Sequence, residues 1–125
     1  MILCDTNILI HAFNGKIETI NQLNIIGWSE IVLSLITVME LFQGMGNKTE
    51  LKQMKKKIQY YDIVQIDKPV SEKAIDLIEN FKLSHGLQIP DAIIAATAII
   101  YDIKLFTYNV RDFSFIPQII LYAPS

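Results

Sequence analysis

Four short apolar runs recur along the chain, at residues 1–4, 30–34, 62–66 and 104–107. Each is too short for a stable helix and long enough for a buried strand. The stretches between them carry apolar residues at helical spacing, such as Leu51, Met54, Ile58 and Tyr61, or Ala74, Leu77, Ile78 and Phe81. Strand-length and helix-length patterns in alternation predict βαβ units around a mostly parallel sheet. Residues 119–122 are a candidate fifth strand, and 108–117 a loop or short helix before it.

Local signals place the helices. Residues 6–13 form a short helix that ends near Asn14 and Gly15, and residues 18–26 a second. Residues 35–42 follow the second strand and stop at Gly44 and Gly46. Asn47 with Glu50 has the form of a capping box for the lysine-rich helix that follows. Ser71 is the expected cap of the next helix, which Gly86 ends. Pro90 suits the first turn of a helix over 91–102 that is apolar nearly all round, and such a helix packs centrally.

The 125 residues suit one domain, 1–125, large enough for its own core. The longest apolar run, 92–101, is half of what a membrane span needs, and Asp5 interrupts the first apolar stretch, which lacks a basic start. The one cysteine, Cys4, excludes an intramolecular disulfide and a cysteine zinc cluster, and its neighbours make it a buried, inert thiol. These features fit a cytoplasmic protein with no membrane contact. The net charge of −2 excludes nucleic-acid binding by bulk electrostatics, though not a local or metal-bridged phosphate contact.

Four of the acids sit in apolar or loop-edge settings: Asp5, Glu40, Asp91 and Asp112. Each has a structural explanation by itself. Asp5 suits an N-cap. Asp91 in a first helical turn is favoured by the helix dipole. Glu40 falls on a thin polar stripe with Thr37 and Gln43, and Asp112 is an ordinary loop residue. Their positions change the weighing. Asp5 and Asp112 follow strands one and four, Glu40 comes shortly after strand two, and Asp91 opens the helix leading to strand four. In an open α/β sheet all four converge beyond the carboxyl ends of the strands. Two like charges about 6 Å apart repel by roughly 3 kcal/mol at an effective dielectric near 20. Four converging carboxylates therefore need protons or a cation among them. An all-oxygen donor set suits Mg²⁺ or Mn²⁺.

Asp5-Thr6-Asn7, Thr37-Val38-Met39-Glu40, Pro90-Asp91-Ala92 and Thr107-Tyr108-Asn109-Val110-Arg111-Asp112 resemble, in order and spacing, the motifs of the PIN domain, and most closely those of VapC-like toxins of toxin–antitoxin pairs. The likeness runs over essentially the whole chain. It implies a three-layer α/β/α fold with a five-stranded parallel sheet. It also implies a Mg²⁺- or Mn²⁺-dependent endoribonuclease that cleaves RNA with metal-activated water, forms a homodimer and is held by a cognate antitoxin. Carried over by motif, Asp5 and Asp91 are the direct metal ligands and Asp112 comes next. Glu40 binds through water or acts as a general base. Thr6 matches a small hydroxyl position near the metal site and Asn109 a polar position in the last motif, and both are candidates for positioning the substrate.

Arg111, the chain's one arginine, reads equally as a phosphate contact and as a surface residue. His11 is expected to be packed on the first helix, and His85 to serve a helix end. Neither has a partner for Ser/His or Cys/His catalysis. Lys48, Lys52, Lys55, Lys56 and Lys57 read as a solvated helix face, or as a guide for RNA or an acidic antitoxin segment. Residues 17–28 and 41–61 are candidate antitoxin-covered surface. A metal-dependent DNA nuclease and a non-catalytic PIN-fold assembly module are the competing functions. A phospho-receiver domain needs a second acid beside Asp5, and none is there.

Overall fold

The computed structural model covers residues 1–125. Its elements run β1 (Ile2–Cys4), α1 (Thr6–Phe13), α2 (Ile17–Ile26), β2 (Ile31–Ser34), α3 (Leu35–Gln43), α4 (Lys48–Ile58), β3 (Asp62–Val64), α5 (Lys68–His85), α6 (Ile89–Ile100) and β4 (Lys104–Phe106). Single 3-10 turns precede β2, at Trp28–Glu30, and follow β4, at Val110–Asp112. The four strands form one parallel sheet in the order β3-β2-β1-β4. No helix is long and apolar enough to cross a membrane.

Alternation along the strands divides the interior in two. Leu3, Val32 and Leu105 face a core shared with α5 and α6, which also holds Leu77, Ile94 and Phe113. Cys4, Leu33 and Phe106 face the opposite core, filled by Ile8 and Leu9 of α1, Leu23 of α2, Leu41 of α3, and Met54 and Ile58 of α4. Helices thus cover both faces of the sheet, the expected α/β/α layering.

The caps decide where the helices start. Asp5 accepts the Thr6 N–H, Ser34 that of Ile36 and Asn47 that of Glu50, whose carboxylate reaches back to the Gly46 N–H and the Asn47 side-chain amide rather than to the Asn47 backbone. The expected cap at Ser71 is a correction. The α5 helix begins at Lys68, where Asp67 accepts the Val70 N–H at 3.0 Å and Pro69 occupies the first turn. Ser71 instead lies inside the helix, its hydroxyl bonded to the Asp67 carbonyl. The α6 helix runs Ile89–Ile100 rather than 91–102, with Pro90 in its first turn as expected. Gly86 ends α5 at φ +68°, a left-handed conformation that glycine adopts without steric cost.

The expected fifth strand is reduced to one parallel bridge between Leu105 and Leu121. There Leu105 donates to the Ile120 carbonyl and accepts the Tyr122 N–H. The ladder goes no further because the next donor on one side, the Ile103 N–H, is taken by the Ala98 carbonyl, and the next on the other side, Pro124, has no N–H.

Candidate active site

Strand order fixes where a ligand fits. From β1 the chain moves outward to β2 and β3, then returns to place β4 on the other side of β1. The crevice beyond the carboxyl ends of β1 and β4 is therefore the topological switch point, the usual binding place in open α/β sheets. Asp5 leaves β1 and Thr107 leaves β4 at this crevice.

Asp5 is 5 % exposed and tightly held. Its Oδ1 accepts the Thr6 N–H at 2.8 Å. Its Oδ2 accepts the Thr107 hydroxyl at 2.8 Å and the Asn7 side-chain amide at 3.0 Å. A carboxylate offers about four lone-pair directions. With three filled, the one left lies on Oδ1. Burial pushes the Asp5 pKa up, the Thr107 and Thr6 bonds oppose that, and the Glu40 charge adds to it.

Thr107 ties the site together. While donating to Asp5, its hydroxyl accepts the Asn109 N–H at 3.0 Å, and Asn7 Oδ1 accepts the Tyr108 N–H at 3.2 Å. The loop after β4, which carries Arg111 and Asp112, is thereby locked to the turn after β1. On the other side, Thr6 donates its hydroxyl to Glu40 Oε1 at 2.7 Å, and Thr37 Oγ1 lies 3.2 Å from Thr6 Oγ1. Thr6 thus joins the first and second acidic motifs. Sequence reasoning gave Asn7, Thr37 and Thr107 no role at the site. Their signal was their place inside the motifs, but side-chain bonds across about a hundred residues have no local pattern.

Asp91 and Asp112 share a cleft of about 310 Å³ with Arg111, His85, Gln88 and Phe115. Burial, together with the charges of Asp5, Asp112 and Glu40, pushes the Asp91 pKa up from 3.8 to about 6. The four acids therefore occupy one electrostatic site. Glu40 also lines a separate apolar groove with Phe13, Leu41, Met45 and Met54. The chain's two ion pairs, Lys68–Glu72 and Lys73–Asp76, lie on α5, so none of these acids is ion-paired with a side-chain cation.

No three His, Cys, Asp or Glu side chains are close enough to cage a bare ion. That spacing suits a divalent ion that keeps several waters and takes one or two carboxylates directly, the habit of Mg²⁺. The oxygen-only donors, the missing counter-charge and the raised Asp91 pKa all fit such an ion.

A family model described as the PIN domain matches residues 2–117. The chain belongs to the PIN-domain family. Ribonuclease VapC10 of Mycobacterium tuberculosis is 26 % identical over 121 residues, covering 95 % of this chain and 90 % of that protein. A chain of a toxin–antitoxin complex from Klebsiella pneumoniae is 31 % identical, with full coverage of both chains and a TM-score of 0.82. VapBC2 from Rickettsia felis, solved bound to a DNA fragment from its promoter, is 26 % identical over 98 % of each chain, with a TM-score of 0.79.

The remaining sequence candidates of this PIN domain fall as follows. Asn109 opens the 3-10 turn that ends in Asp112, whose N–H bonds to its carbonyl at 2.9 Å. Arg111 faces the acid cleft. The lysines of α4 are exposed while Met54 and Ile58 are buried, as expected of a solvated face. His11 is a correction: it is exposed, with its ring 4.9 Å from that of Tyr108. On a helix of eight residues the buried stripe takes Ile8, Leu9 and Ala12 and leaves His11 outside.

Proposed function

We propose that the chain is the toxin of a toxin–antitoxin pair, a one-domain, metal-dependent endoribonuclease that hydrolyses RNA phosphodiester bonds and is held by a cognate antitoxin protein. The observation that carries this reading is Asp91: its carboxyl is raised to about 6 by burial and by the charges of the other three acids, and no side-chain cation is ion-paired with any of them. The names of the relatives, a ribonuclease and toxin–antitoxin assemblies, support the same reading.

Bound Mg²⁺ or Mn²⁺ would supply Lewis-acid polarisation of the phosphate and activation of water. Asp5, through its unfilled Oδ1 position, and Asp91 would hold it directly, and Asp112 would hold it through water. Asp5 contributes rigidity, since three hydrogen bonds fix its carboxylate. Glu40, steadied by the Thr6 hydroxyl, stands ready to accept the proton that leaves the attacking water. Arg111, in the same cleft and in no ion pair, can neutralise a phosphate oxygen.

The test is cleavage of single-stranded RNA and DNA by purified protein, with Mg²⁺, with Mn²⁺ and with chelator, beside Asp5→Asn and Asp91→Asn. RNA cleavage that needs the ion and both acids supports the proposal. Preference for DNA, ion binding without turnover, or cleavage that survives both substitutions refutes it.

A further inference from the structure

The cleft that holds Asp91 and Asp112 runs from the acids to a pair of stacked rings. His85, the last residue of α5, lies face to face with Phe115, their centroids 4.2 Å apart and their planes 12° from parallel. Phe81 backs both rings, at 5.3 Å from Phe115 and 6.0 Å from His85. Phe81 and Phe115 are half-buried against the α5–α6 core, whereas His85 is exposed. Phe115 covers one imidazole face, and the residue as a whole remains exposed. The Ser84 hydroxyl, 2.8 Å from Nδ1, fixes the ring's orientation. The chain's one arginine lines the same cleft with no carboxylate paired to it.

An oriented, exposed ring does little for stability, because it buries little. Beside phosphate-handling acids and a free guanidinium it has another use. Proteins that read single-stranded RNA take unpaired bases onto aromatic or histidine rings and meet the backbone with arginine. About 310 Å³ is the low end for a ligand site, enough for one nucleotide and too little for a duplex.

We propose that His85, supported by Phe115, is a stacking platform for the base of a nucleotide adjoining the scissile phosphate, with Arg111 on that nucleotide's phosphate. The inference rests on the ribonuclease reading above. It implies that the cleaved segment is single-stranded, with one base turned out of its stack. It also makes His85 a substrate-positioning residue that acts on binding rather than on bond breaking.

The experiment uses the full chain and a short mixed-sequence single-stranded RNA whose cleavage positions are first mapped. His85→Ala is expected to raise KM about tenfold, the loss typical of one base–ring stack, with kcat nearly unchanged. His85→Phe, which keeps the ring, should stay near the parent. The same RNA with an abasic residue on the stacked side of the mapped position should cleave as poorly in the parent as intact RNA does in His85→Ala. The two changes together should cost no more than either alone. Parent-like KM in His85→Ala, a His85→Phe as weak as the alanine, or additive losses with the abasic RNA overturns the subsite and leaves the ribonuclease reading standing. A parent protein that cleaves no RNA overturns both.

Discussion

Replacing Asp91 by Asn should make this protein more stable at neutral pH, although Asp91 stands in a helical first turn. Two effects compete there. The amino end of α6 favours a negative charge by about 0.3–1 kcal/mol. Against this, burial and the three neighbouring acids raise the carboxyl from 3.8 to about 6. Taken whole, that shift corresponds to about 3 kcal/mol against the ionised form. Asp91 is only partly buried, and water screens the neighbouring charges, so roughly half of it is the better figure. The net gain for Asp91→Asn at pH 7 is then about 1 kcal/mol, or roughly 3–6 °C in Tm for a domain of this size. The sign of the pH dependence follows from the same shift. A carboxyl whose folded pKa lies above its unfolded value stabilises the fold most when protonated, below pH 3.8, and loses that contribution as pH rises through about 6. The gap between variant and parent should therefore be widest at pH 7 and above and close as pH falls towards 4. Mg²⁺ or Mn²⁺ at neutral pH should raise the parent's Tm and leave Asp91→Asn nearly unmoved. Thermal unfolding of both proteins from pH 4 to 8, with and without the ion, measures all of this. A parent more stable than Asp91→Asn at pH 7, or a gap that does not vary with pH, would refute the reasoning.

Three further outcomes follow from the packing around the site. Thr107→Val removes the hydroxyl that joins Asp5 to the Asn109 amide, and cleavage should fall about tenfold or more, with recovery in Thr107→Ser, measured as kcat/KM on one RNA. Phe106→Ala, which empties a fully buried position beside Tyr108 and Tyr122, should cost about 3–5 kcal/mol in urea unfolding. Cys4 has no exposed surface and burial pushes its thiol up to about 12, so a chromogenic thiol reagent should react with native protein only as fast as the protein unfolds.

Much of this architecture could be read from local pattern, because its parts are local. The β1–α1 junction is one example: a strand of apolar residues, then Asp5 as cap, is a rule about neighbours. The four acids could be placed at one end of the sheet because a βαβ chain puts the ends of parallel strands together. Local rules failed where two of them competed. Ser71 and Asp67 are both plausible caps, and Pro69 between them settles the choice only once the helix is known to include it. The segment 119–122 has strand-like residues, yet a ladder needs free partner groups, and the Ile103 N–H is taken by the Ala98 carbonyl while Pro124 has none. Thr107, Asn7 and Thr37 gave no sign of their bonds, since a threonine reads alike whether its hydroxyl meets water or a carboxylate a hundred residues away.

The bridge at Leu105 matters for what it prevents. As a border strand, β4 would offer its backbone groups to any passing strand, an invitation to chain-to-chain association. The segment around Leu121 occupies both backbone groups of the central β4 residue. Its position is secured from the far side by the bond between Gln22 and the Tyr122 hydroxyl. One residue pair thus does the work of a whole border strand, and loosening residues 119–122 would show first as loss of solubility rather than loss of fold.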